Sequence, residues 1–146
     1  IFSFPNLLIQ RSNMNREILF RGKDFLKEEW VYGDLVQTKN FVAIKKTNGD
    51  YFHPTQVSPN TVGQYTGWKD KNGKQIFEGD ILGYIGKRKD NMNKVYRRKV
   101  VFHEGMFALL SKELPAYSAL NYHCMEDGRS AWSVIGNIHD NPELIK

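Results

Sequence analysis

Glu78 and Asp80 flank Gly79, and residues two apart share one face of a strand, the placement that a carboxylate pair acting as general acid and base would need. Acidic residues beside a glycine turn more commonly accept hydrogen bonds from nearby backbone N–H groups, so a structural role is the expectation and a carboxylate-dependent enzyme the lesser alternative. Gly67 to Gly73-Lys74 superficially suggests a phosphate loop, but the spacing is one residue too long and Gln75 replaces the hydroxyl residue. Gly73 follows Asp70 by three residues, which is the wrong register for a calcium loop. His53, His103, His123 and His139 are scattered singly, without the close spacing that brings two imidazoles to one metal. His123-Cys124 offers a base beside a thiol, yet adjacent side chains diverge on either regular element, and Cys124 reads as a small core residue. No catalytic residue, metal or cofactor is therefore expected.

The remaining concentration of chemistry is electrostatic. From Lys87 to Lys99 seven basic residues stand against Asp90, a net +6 within a total of +5, so the rest of the chain sums to −1. Lys87, Arg88, Lys89, Lys94, Arg97, Arg98 and Lys99, with Tyr96 among them, form a candidate nucleic-acid-binding segment. It is read as a long exposed loop that tracks phosphates while Tyr96 offers one ring for stacking. The competing reading is a solvated hairpin tip whose charges serve solubility.

These residues need a scaffold, and the pattern that supplies one is strands joined by tight turns. Asp70-Lys-Asn-Gly73 predicts a reversal that returns Lys74–Phe77 beside Tyr65–Trp68. Trp30–Val36 and Phe41–Lys46 read as a hairpin, Asn48-Gly49 as a turn into a strand at Tyr51-Phe52-His53, and Arg98–His103 with Met106–Leu110 as a pair around Glu104-Gly105. A short strand is expected at Glu17–Arg21, with a turn at Gly22–Asp24. Pro54 and Pro59 mark Pro54–Thr61 as a connector. Leu114–Met125 fits either one or two helical turns opened by Pro115 or a strand, Trp132–Ile138 reads as a closing strand, and Asn141-Pro142 as the cap of a final turn. Trp30, Trp68 and Trp132 read as packing residues, with Trp68 at the hairpin tip the exception to watch.

At 146 residues, with 40% hydrophobic and 13% aromatic residues, the chain suits one domain with a real core. No apolar run approaches the ~20 residues that a membrane helix needs, and a single cysteine excludes an internal disulfide. A cytoplasmic location is the expectation.

Gly63-Gln-Tyr-Thr-Gly67, Asp70-Lys-Asn-Gly-Lys74 and Glu78-Gly-Asp-Ile81 resemble the signature of the YopX-like proteins encoded by bacteriophages and prophages. Met14–Gly22 and Val134–Ile145 extend the resemblance. Trp68 stands where an aliphatic residue is more usual, and the basic segment after Gly86 is not shared. The resemblance implies an all-β, mainly antiparallel fold of several short coiled sheets, including a small SH3-like barrel with at most one short helix, and no catalytic residues to carry over. Residues 14–146 are then one β domain, with an N-terminal sheet over about 14–53 and a barrel-like part over about 62–146. Residues 1–13 read as a leader or appendage outside that unit, or else as an apolar strand from Phe2 to Ile9. The expected role is that of a phage accessory binding module whose partner is nucleic acid or a host or phage protein, with a self-assembling structural protein as the alternative.

Overall fold

The computed structural model describes residues 15–49, 52–112 and 116–146. The leader or appendage at 1–13, Tyr51 and the proposed helix opening at Pro115 lie outside the described residues.

Alternating apolar and polar residues between turn signals give eleven strands among the described residues: β1 Phe20–Lys23, β2 Trp30–Gln37, β3 Val42–Lys46, β4 Thr55–Gln56, β5 Gly63–Lys69, β6 Gln75–Phe77, β7 Asp80–Ile85, β8 Val95–His103, β9 Met106–Leu110, β10 Tyr117–Ala119 and β11 Ser133–Asn137. They form two antiparallel sheets, ordered β4-β3-β2-β1-β5-β6 and β10-β9-β8-β7-β11. The helical content among the described residues is three 3₁₀ turns, Pro59–Thr61, Leu120–His123 and Pro142–Ile145. The all-β expectation is met. The second sheet is open, however, with β10 and β11 as its two edges, so no closed barrel forms among the described residues.

The β2–β3 hairpin and the β8–β9 pair follow the sequence reading, with Gly33 opposite Lys46 and Lys99 opposite Leu110. Three local expectations change. The chain does not turn at Gly22 but passes through it in β1, because Val57 packs where a side chain would sit: a Cβ there would lie 2.9 Å from a Val57 methyl. Phe52 and His53 are not in a strand; the chain pairs two residues later, at Thr55 and Gln56, beyond Pro54. That placement suits proline, which supplies no donor, just ahead of an edge strand. The stretch before Met125 resolves into both readings, a short strand at Tyr117–Ala119 followed by the 3₁₀ turn at Leu120.

The Gly63–Leu82 stretch joins the two sheets. β5 and β6, placed by the sequence in the barrel-like part, are hydrogen-bonded into the first sheet, yet Ile76 of β6 is fully buried in the core of the second. That core holds Ile76, Leu82, Val100, Leu109, Leu120 and Trp132, with Trp68 and Tyr96 packed against it. Trp68 is thus a half-buried packing residue rather than an exposed tip. A smaller core of Val31, Ile44 and Val57 lies on the first sheet. Backbone bonds stitch the hairpin across: Ser130 N–H donates to the Lys69 carbonyl at 2.8 Å and Lys71 N–H to that of Trp132 at 3.0 Å.

The reversal between β5 and β6 rests on Gly73, whose φ of +84° falls in the left-handed region. No atom lies within 4 Å of a Cβ added there, so a substitution meets backbone strain alone. Gly73→Val is expected to cost about 1–2 kcal/mol. Lys74→Ala, at an exposed side chain, should stay within about 0.5 kcal/mol of wild type. Equal urea midpoints for the two variants would remove Gly73 as the determinant of the turn.

Candidate nucleic-acid interface

β8 carries the lower half of the basic segment, and its alternation sorts the cations. Val95, Tyr96 and the Val100-Val101 pair are strand formers, so the chain leaves the hairpin tip at Val95 and pairs with β7 over Val95–Lys99 and with β9 over Lys99–His103. The long loop expected over Lys87–Lys99 is therefore confined to residues 86–94. Lys87, Arg88 and Lys89 stay exposed on that tip. Asn91 holds it, accepting the Arg88 N–H on its Oδ1 at 2.9 Å.

Tyr96 and Arg98 turn to the core face. The Arg98 guanidinium carbon lies 5.8 Å from the ring centroids of both Tyr96 and Trp132, and Lys94 Nζ lies 5.0 Å from the Tyr96 ring. Tyr96 is half-buried, packed against the core and approached by both cations, rather than the exposed stacking ring the sequence suggested.

Arg97 and Lys99 take the opposite face. There, with Arg98, they border a cleft of about 520 Å³ whose other lining residues are Val95, Leu110, Ser111, Lys112, Leu144, Ile145 and Lys146. Among the described residues the lining contains five basic side chains and no acidic one, which gives it an excess of positive charge. The Pro142–Ile145 turn forms one wall. The expected Asn141 cap is not made: its side chain instead accepts the Asn137 N–H at 3.3 Å, tying the turn back to β11.

Lys112 and Lys146 were missed by the sequence reading. Lys112 had a signal, because extending the β8–β9 register two residues beyond Lys99–Leu110 sets position 112 against Arg97. Lys146 had none, since only the folded turn brings it there.

A second polar cluster lies between the sheets, where the three stretches that carry the family resemblance meet. Arg21 of β1 is buried; its Nη2 lies 2.7 Å from Asp80 Oδ1 and donates to the Glu78 carbonyl at 3.3 Å. Its guanidinium carbon sits 4.6 Å from the Trp30 ring centroid and 4.9 Å from that of Phe77. Asp80 also accepts the Phe77 N–H on Oδ2 at 2.8 Å. Burial pushes its carboxyl above the usual range, and the charge of Arg21 only partly offsets this. Asp140 pairs with Lys23 and accepts from Trp30 Nε1 at 2.7 Å and Asn137 Nδ2 at 2.9 Å. Burial opposes its ionisation, but those donors outweigh it and hold its carboxyl well below the usual range. His139 is tilted against Trp30, and burial with the charges of Arg21 and Lys23 pushes its imidazole below the usual histidine range.

Both oxygens of Asp80 are thus occupied by structural partners. Glu78 lines a different, smaller cavity of about 210 Å³, and the two carboxylates do not converge on one space. Among the described residues no group of three His, Cys, Asp or Glu side chains is placed to hold a metal. Cys124, expected in the core, is exposed. Across its bridge with Ser130 it is the serine that is buried instead. The side chain of His123 lies outside the described residues.

The model of the family described as YopX protein matches residues 19–146. Among solved structures the chain is similar to the crystal structure of protein EF1440 from Enterococcus faecalis, with 26% sequence identity and a TM-score of 0.56, over 90% of this chain and 99% of that one. No curated protein matches it.

Proposed function

The chain belongs to the YopX family, and on that footing we propose that it is a non-enzymatic, phage-encoded accessory module of the host cytoplasm that binds nucleic acid without sequence preference. The observation that carries this reading is the cleft on the face of β8 and β9 opposite Tyr96, where Arg97, Lys99, Lys112 and Lys146 gather and the described lining residues include no acidic side chain. The two open sheets, the second read as an unclosed SH3-like barrel, serve as the rigid scaffold. Lysine and arginine aimed from a sheet face into a cleft make phosphate contacts, which position a ligand and do not read bases.

The exposed residues Arg97 and Lys112 are the suitable probes, because half-buried Arg98 also packs against Tyr96 and Trp132. Arg97→Ser with Lys112→Ser should leave the melting temperature near wild type. It should flatten the log–log salt dependence of oligonucleotide affinity by about 1.4 on a single strand or about 1.8 on a duplex. The measurement is fluorescence anisotropy at several salt concentrations, and a slope identical to wild type would remove the cleft as the interface.

A protein partner is the second reading. The first sheet ends in β4 and β6 and the second in β10 and β11, and such edges offer backbone groups for strand addition or for self-assembly.

A further inference from the structure

We propose that the cleft selects single-stranded nucleic acid, with phosphates on Arg97, Lys99 and Lys112 and the sugar and base faces against Leu110, Leu144 and Ile145. This rests on the nucleic-acid reading above and names the form of its ligand.

The cleft is cationic and also aliphatic: Val95, Leu110, Leu144 and Ile145 share the lining with its basic residues, and Val95 is 53% exposed. A duplex turns its apolar base faces inward and presents phosphates on a convex ridge, so these side chains would stay wet against it. A single strand exposes base and sugar surface that they can cover. The spacing agrees, because Arg97 and Lys99 are two residues apart on one strand, about 6.7 Å, comparable to the step between successive phosphates of an extended chain. With Tyr96 turned to the core face, the contact to bases is aliphatic and carries little preference among them.

An acidic peptide with apolar side chains would also suit such a lining. The positive charge, however, does not end with the cleft: beyond Val95 the exposed tip carries Lys89, Arg88 and Lys87 against the single Asp90. A ligand of uniform charge longer than the cleft engages all of it, and a short peptide does not.

The experiment compares fluorescein-labelled oligothymidylate with a labelled duplex of equal length at one salt concentration, on the full chain and on Leu144→Ser and Ile145→Ser, each first checked by its melting temperature. The single strand should bind more tightly than the duplex although the duplex has the higher charge density. At least one of the two variants should weaken single-strand binding by about three- to tenfold, with the salt slope and duplex affinity unchanged. Duplex binding as tight as single-strand binding, or wild-type affinity in both variants, would overturn the selectivity while leaving salt-dependent nucleic-acid binding intact. Displacement of the oligonucleotide by polyglutamate at equal charge concentration would overturn it in favour of an acidic protein partner. Absence of binding by either nucleic acid would overturn both this inference and the reading beneath it.

Discussion

Arg21→Met is expected to destabilise the protein by about 3–5 kcal/mol, because it strips the charge partner from a carboxylate that water barely reaches. Arg21 and Asp80 are 6% and 1% exposed, and their contact spans the seam between the two sheets at 2.7 Å. Methionine fills much of the space between Trp30 and Phe77, so the loss reports the stranded charge more than lost packing. Adding Asp80→Asn to the same protein should recover part of the loss, since the amide oxygen still accepts the Phe77 N–H and no charge remains. The double variant is therefore expected to be more stable than Arg21→Met alone. Dependence on pH gives a second readout. Burial already holds the Asp80 carboxyl above its ordinary range, and removal of Arg21 raises it further. The folded variant then takes up a proton at a pH where the unfolded chain remains ionised, so acidification favours its folded form. The gap to wild type should narrow as pH falls through the raised Asp80 value. Urea melts at neutral and mildly acidic pH test both points, and a loss below about 1 kcal/mol would show that the pair does not hold the seam.

What could be read from the sequence was what is written locally. The Asp70–Gly73 reversal was visible because Asp, Asn and Gly announce turn geometry within four residues, and the structural role of Asp80 because a carboxylate beside Gly79 has backbone donors within reach. Arg21 gave no comparable signal: its partner is far along the chain, and an arginine in an alternating strand reads as outward-facing. β4 was missed because Thr55 and Gln56 are too few to show alternation. The basic segment differs in shape from the long loop expected over Lys87–Lys99, because the strand pattern beginning at Val95 outweighs its charge density. That pattern sends Tyr96 and Arg98 to the core and Arg97 and Lys99 to the cleft. Cys124 was placed inside because cysteine is usually buried, whereas at this bridge the small residue that fits is Ser130, with no exposed surface.

Asp70→Ala should rival the loss of Arg21, at about 3–5 kcal/mol, through hydrogen bonding rather than through a charge pair. The Asp70 side chain is 1% exposed, and its two oxygens are divided between near and distant structure. Oδ1 accepts the N–H groups of Asn72 and Lys74, both at 2.8 Å, closing the hairpin turn, while Oδ2 accepts the Val134 N–H of β11 at 2.9 Å. Alanine leaves all three donors without this acceptor, and each one that water cannot reach costs about 1–3 kcal/mol. Asp70→Asn separates the two tasks. Its single amide oxygen can serve the turn or β11 but not both, so a loss between that of alanine and wild type is expected, roughly 1–3 kcal/mol. Because Val134 borders the core around Trp132, detachment of β11 should also quench or shift the buried tryptophan fluorescence in Asp70→Asn before global unfolding. Stability of Asp70→Ala within about 1 kcal/mol of wild type would mean that the turn closes on backbone bonds alone, and that the hairpin does not depend on this carboxylate to hold the second sheet.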